Sequence, residues 1–98
     1  MSNFRRAARI DGNANDIIIR LRQIGATVCV TAAGERPPFD ALIGFRGLNW
    51  AMEFKNPKQP PSKRRLSEAE ALFHRTWRGQ VDTILTFQDA LDLITGVE

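Results

Sequence analysis

Asp40, Glu53 and Lys55 combine residue types and a spacing suited to chemistry on phosphate. Glu53 and Lys55 flank Phe54, and side chains two apart on a strand share a face. Asp40 lies upstream of Glu53 with twelve intervening residues. Segments 39–45 and 48–55 read as two strands joined by Arg46-Gly47, a plausible two-residue hairpin turn. That turn sets Phe45 opposite Leu48, Ile43 opposite Trp50, Ala41 opposite Met52 and Phe39 opposite Phe54. All four pairs are apolar, so this face is expected to be core. The other face carries Gly44 opposite Asn49, Leu42 opposite Ala51 and Asp40 opposite Glu53, with Lys55 two residues further along. A four-residue loop would slide the register by two and leave both faces unchanged.

Two carboxylates facing each other across a hairpin repel, and a positive group between them removes the penalty. A hard divalent cation such as Mg²⁺ takes one or two carboxylates together with waters and substrate phosphate. Lys55, on the same face, is placed to position and polarise a nucleophile, to stabilise a pentacovalent phosphorus transition state, or to act as general base. For Glu53-Phe54-Lys55 alone, a surface ion pair is the plainer account. The facing Asp40 and the cationic loop that follows bring chemistry level with that account.

The elements that must hold these residues follow from periodicity. Ala14, Ile17, Ile18, Leu21 and Ile24 recur at helical spacing over about 13–23, and Gly25 supplies the stop. Thr27 to Thr31 alternates and is β-branched, a short strand in which Cys29 is expected to pack. Residues 32–38 form a loop. Asn56 to Arg65 contains three prolines and four cations and reads as an exposed loop. Ser67 and Glu70 then form a capping box, with Leu66 placed to staple onto Ala71. The helix that follows is expected to bury Ala69, Leu72, Phe73 and Trp77 and to end near Gly79, with His74 on its exposed side. Val81 to Phe87 reads as a fourth strand and Gln88 to Ile94 as a short C-terminal helix. The order is α-β-β-β-α-β-α, an α/β fold.

Asp40, then Glu53-Phe54-Lys55, framed by α-β-β-β-α-β, resembles the PD-(D/E)xK nuclease superfamily. The chain is more narrowly similar to the small stand-alone VRR-NUC proteins of phages and bacteria. The similarity runs through Asp11-Gly12-Asn13, Leu21 to Ala26, Glu53 to Lys55, Pro61 to Ser67 and Phe73 to Val81. Phe39 stands between Pro38 and Asp40 where the family has a Pro-Asp dipeptide, and Gly34-Glu35-Arg36-Pro37 replaces a Gly-rich approach.

The resemblance implies a restriction-endonuclease-like core, a mixed sheet flanked by helices. It also implies a homodimeric Mg²⁺- or Mn²⁺-dependent phosphodiesterase acting on DNA, with related members associated with branched substrates such as Holliday junctions. Asp40, Glu53 and the backbone carbonyl of Phe54 would hold the metal, and Lys55 would be the catalytic lysine. Many relatives add an acidic residue on the first helix. Here Asn13, in line with the buried stripe, is favoured to face the site through water, with Asp11 and Asp16 behind it.

Length and charge agree with this reading. Ninety-eight residues suit one domain, with residues 1–12 as a basic arm. The charge of +3 is mild, but the cations cluster: Arg5, Arg6 and Arg9 in the arm, and Lys58, Lys63, Arg64 and Arg65 after the second hairpin strand. Both clusters are candidates for DNA phosphates. One cysteine, no signal-like stretch and no apolar run of membrane length fit a reducing, intracellular location, and the resemblance implies the cytoplasm of a bacterium or phage-infected host. Two rival readings are a DNA-binding or recruitment module of the same fold with weak or absent activity, and a protein-interaction domain in which the basic loop is incidental.

Overall fold

A computed structural model describes residues 12–31 and 38–96. Helix α1 (Gly12–Gln23) leads into strand β1 (Thr27–Val30), and β2 (Ala41–Phe45) and β3 (Leu48–Phe54) form a hairpin. A 3₁₀ turn (Pro61–Lys63), helix α2 (Glu68–Thr76), strand β4 (Val81–Ile84) and helix α3 (Phe87–Thr95) complete the order. The fold is α/β in the order expected, a mixed four-stranded sheet β1-β2-β3-β4 flanked by helices. The first three strands are antiparallel, and β3 and β4 run parallel.

The apolar stripe of α1 drives its docking. Ala14, Ile17, Ile18 and Leu21 are all buried, whereas Ile24, at the end of the stripe, is 41% exposed. They join Ala41, Ile43, Trp50, Met52, Phe54, Ile84, Ala90 and Ile94 in one core between α1, α3 and a single face of the sheet. Fully burying a side chain such as Leu21 or Met52 contributes roughly 1.5–3 kcal/mol. Gly25 closes α1 at φ 98, and the Ala26 N–H donates to the Leu21 carbonyl.

The hairpin register is the expected one: Phe45 pairs with Leu48, Gly44 with Asn49, Ile43 with Trp50, Leu42 with Ala51 and Ala41 with Met52. Arg46 (φ 52) and Gly47 (φ 81) both take left-handed backbone, as a tight turn matching strand twist requires. Leu48, assigned to the core face, is exposed because it lies at the hairpin tip.

Other expectations need correction. Phe39 does not face Phe54 in the core. The ladder ends at Ala41, the Asp40 side chain takes the Phe54 N–H at 2.9 Å, and the Phe39 ring stacks on Phe73 of α2 at 5.4 Å. Helix α2 ends at Thr76 and contains no buried residue. Its Ala69 is exposed, and Leu72 and Trp77 are each about half exposed, because the helix is held by ring stacking and not by a core stripe. His74 is half-buried, with Nε2 enclosed. Strand β4 stops at Ile84, since Thr86 and Asp89 form a second capping box and Phe87 opens α3. Cys29 is exposed on edge strand β1 and not packed. No helix among the described residues is long and apolar enough to cross a membrane.

The turn is a test of this register. A Cβ at Gly47 would meet nothing within 4 Å, so the cost of Gly47→Ala is that of left-handed backbone alone. We expect a loss of about 1 kcal/mol in urea unfolding; an unchanged midpoint would mean that the turn relaxes into another geometry.

Candidate functional site

The face of the sheet opposite the core carries the predicted residues. Thr31 Oγ1 lies within hydrogen-bonding distance of the carbonyls of Phe39 (2.9 Å) and Asp40 (3.0 Å), and the Thr31 N–H donates to the Asp40 carbonyl. These contacts pin the start of β2. The Asp40 N–H reaches the Met52 carbonyl, and its Oδ2 accepts from the Phe54 N–H. Asp40 is therefore fixed at both ends to the strand that bears Glu53.

Glu53 is the sole polar side chain in the buried class among the described residues, 4% exposed. Its Oε2 lies 3.3 Å from the Lys55 ammonium, which lies 3.4 Å from Oε1 of Glu70. Asp40, Glu53 and Glu70 line one recess of about 310 Å³ with Pro38, Phe39, Ser67 and Ala69. Three of the four ionisable residues here are those expected from sequence. The fourth, Glu70, was legible only as half of a capping box, which the structure also forms.

Burial pushes the Glu53 carboxyl up to about 9, reinforced by a hydrogen bond with Glu70 and by the negative charges of Asp40 and Glu70; Lys55 opposes the shift. Burial also acts to raise Glu70, but its hydrogen bonds with Glu53 and the Ser67 N–H, together with Lys55, leave it below its ordinary value. Burial works against the Lys55 ammonium, yet Glu53 and Glu70 outweigh it and hold its pKa above the usual lysine value. The site thus favours the protonated form of Glu53 and the charged forms of Glu70 and Lys55.

Asn13 comes to the edge of this site. Its Nδ2 donates to the carbonyls of Lys55 (3.1 Å) and Leu85 (3.0 Å), clamping α1 to the ends of β3 and β4. Asp16 is not brought to the site: it is exposed and pairs with Arg20 one helical turn away at 3.8 Å. Asp11, Arg5, Arg6 and Arg9 lie outside the described residues. Lys58, Lys63 and Arg65 are exposed on the loop between β3 and α2; Arg64 is half-buried, with Nε enclosed.

Among the described residues no three His, Cys, Asp or Glu side chains form a ready-made metal cage. The donors present are nevertheless oxygen only, and the enclosed Oε1 of Glu53 receives no hydrogen bond from a protein donor. That combination fits a hard divalent cation, which needs few protein ligands when waters and phosphate complete the shell. Compared with known protein families, curated proteins and solved structures, the chain matches none.

Two measurements follow. Glu53 has an ordinary value of 4.5 when unfolded and about 9 when folded, so its contribution to stability is full below 4.5 and lost as pH rises through about 9. The contributions of Glu70 (lost only as pH falls below the ordinary value) and Lys55 (lost only at still higher pH) stay intact across that window. Denaturant titrations in EDTA should show stability falling steadily as pH rises between those limits. Glu53→Gln should flatten the profile, and a wild-type profile already flat would contradict it. Asn13→Asp sets a carboxylate against two carbonyls and should destabilise by about 2 kcal/mol without tightening Mg²⁺ binding in calorimetry; tighter binding would make Asn13 part of a metal site and not a clamp.

Proposed function

We propose that this chain is a metal-dependent endonuclease that hydrolyses DNA phosphodiester bonds, selective for branched or otherwise structured DNA, and a member of the VRR-NUC group of PD-(D/E)xK nucleases. The observation that carries the reading is that Asp40 and Glu53 line one recess, on the face opposite the core, with the Lys55 ammonium 3.3 Å from Glu53. A binding module gains nothing from carboxylates beside phosphate, where they repel the ligand.

Asp40 and Glu53 would hold Mg²⁺ or Mn²⁺. The Phe54 carbonyl is the third candidate ligand: the Phe54 N–H points to Asp40, and the N–H and C=O of one strand residue project to the same edge. When bound, the cation would make water more acidic and offset charge on the phosphate. Lys55, held as the ammonium by Glu53 and Glu70, suits stabilisation of the pentacovalent phosphorus better than proton abstraction. In hydrolysis a water oxygen bonds to phosphorus, the P–O bond to the leaving sugar oxygen breaks, and that oxygen gains a proton.

Lys58, Lys63 and Arg65 on the adjoining loop would engage neighbouring phosphates, giving strongly salt-dependent binding. A domain of this size has little surface for reading base edges, which favours recognition of DNA shape. Homodimerisation belongs to the proposal: exposed Leu42, Leu48 and Trp77 border an apolar recess of about 560 Å³ that a second copy would cover. Location in the cytoplasm is likewise proposed, from composition.

The test is cleavage of plasmid, flap, linear duplex and four-way-junction DNA with Mg²⁺ or Mn²⁺. Wild type should cut at least one structured substrate. Asp40→Ala and Asp40→Asn should each lose about 100-fold or more, the Asn variant keeping an acceptor for the Phe54 N–H so that misfolding is not the cause. Equal cleavage by wild type and both variants would remove Asp40 from the site. Binding without cleavage by wild type in either metal would leave a recruitment module.

A further inference from the structure

Lys55 follows the last residue of β3, and its ammonium is held from two directions. Glu53, on its own strand, approaches at 3.3 Å; Glu70, on α2, approaches at 3.4 Å. The Glu70 oxygen that does this, Oε1, also accepts the Ser67 N–H at 2.7 Å, while the Glu70 N–H donates to Ser67 Oγ at 3.1 Å. One carboxylate oxygen is therefore both the returning half of the helix cap and an anchor for Lys55. Helix α2 has no buried residue, so core packing does not fix its first turn.

We infer that Glu70 is a positioning residue for Lys55, its Oε1 setting where the ammonium sits beside Glu53. The inference rests on the reading of Lys55 as the cation that faces phosphate. A lysine stem has four rotatable carbons, and an anchor two residues away on the same strand leaves it free to swing. A second anchor on a separate element removes that freedom before substrate arrives, and such preorganisation is what makes a charge effective in a transition state. The requirement is for an acceptor at Oε1. A glutamine carbonyl in the same place meets it, with the cap intact; alanine does not.

The test uses the full chain with Glu70→Ala, Glu70→Gln and Ser67→Ala. Ser67→Ala removes the Oγ half of the cap but keeps the Ser67 N–H that Glu70 Oε1 accepts, and so separates helix fraying from loss of the anchor. The first readout needs no activity: reductive methylation of each lysine followed by mass spectrometry, with exposed Lys58 and Lys63 as internal references. Lys55 should label several-fold faster in Glu70→Ala than in wild type, and close to the wild-type rate in the other two variants. The second readout is steady-state cleavage. Glu70→Ala should lower kcat by about 10- to 100-fold with KM little changed; Glu70→Gln should restore most of it, and Ser67→Ala should lower thermal stability with a much smaller loss of kcat than Glu70→Ala. Unchanged Lys55 labelling in Glu70→Ala would overturn the inference, as would Ser67→Ala matching Glu70→Ala in either readout. Absence of cleavage by wild type would instead overturn the nuclease reading, with the labelling still deciding whether Glu70 places Lys55.

Discussion

The burial of the Glu53 carboxyl is the constraint on which the other features of this site depend. Taking a carboxylate out of water costs several kcal/mol unless it is neutralised and hydrogen-bonded. Here the Lys55 ammonium lies at 3.3 Å, and burial with the neighbouring carboxylates favours the neutral, protonated form of Glu53. Each partner is delivered by a separate element. The hairpin brings Asp40 to the same recess, the cap of α2 brings Glu70, and the amide of Asn13 ties α1 to the carbonyl of Lys55. Local motifs that would be unremarkable alone thus converge on one buried charge.

A proton on Glu53 and a divalent cation would answer the same electrostatic need. Asp40, Glu53 and Glu70 together outnumber Lys55 in charge, and the surplus raises the Glu53 carboxyl. A site built only for stability would have little reason to accumulate that surplus, because an apolar side chain of Glu53's size would avoid the penalty. Carboxylates gathered at such a cost, next to an ammonium and at the mouth of a recess, are the pattern expected where charge serves a ligand.

Much of this was legible from sequence, for an identifiable reason. Side chains on a strand alternate with period two, so the turn at Arg46-Gly47 was enough to set the pairing of Ile43 with Trp50 and of Ala41 with Met52, and with it the face of Glu53 and Lys55. The helical stripe of α1 likewise carried Asn13 to the right end of the sheet. Its hydrogen bonds were not legible, because whether an amide meets a cation or two carbonyls depends on the strand ends it reaches. Glu70 was missed for a related reason. The Ser67–Glu70 capping box explained that residue completely at short range, leaving no visible signal of a partner fifteen positions away. Trp77 and Leu72 were misplaced because helical periodicity identifies an apolar side without showing whether a core lies under it.

That last failure says something about how α2 is held. In place of a buried stripe it has a column of rings, Phe39 on Phe73 at 5.4 Å and Phe73 on Trp77 at 5.0 Å. Phe39 forms part of the wall of both the carboxyl recess and the apolar recess beside Leu48 and Trp77. Gly79 allows this packing, since a Cβ there would come within 2.6 Å of the Trp77 indole nitrogen. Aromatic pairs of this kind contribute about 0.5–1.5 kcal/mol each beyond the area they bury, which is less than a buried stripe supplies. The cap and the ring column therefore carry between them the placement of the helix that bears Glu70. The helix nearest the buried charge is tied more lightly to the core than α1 or α3, and the geometry of the charged site rests on the contacts at its two ends.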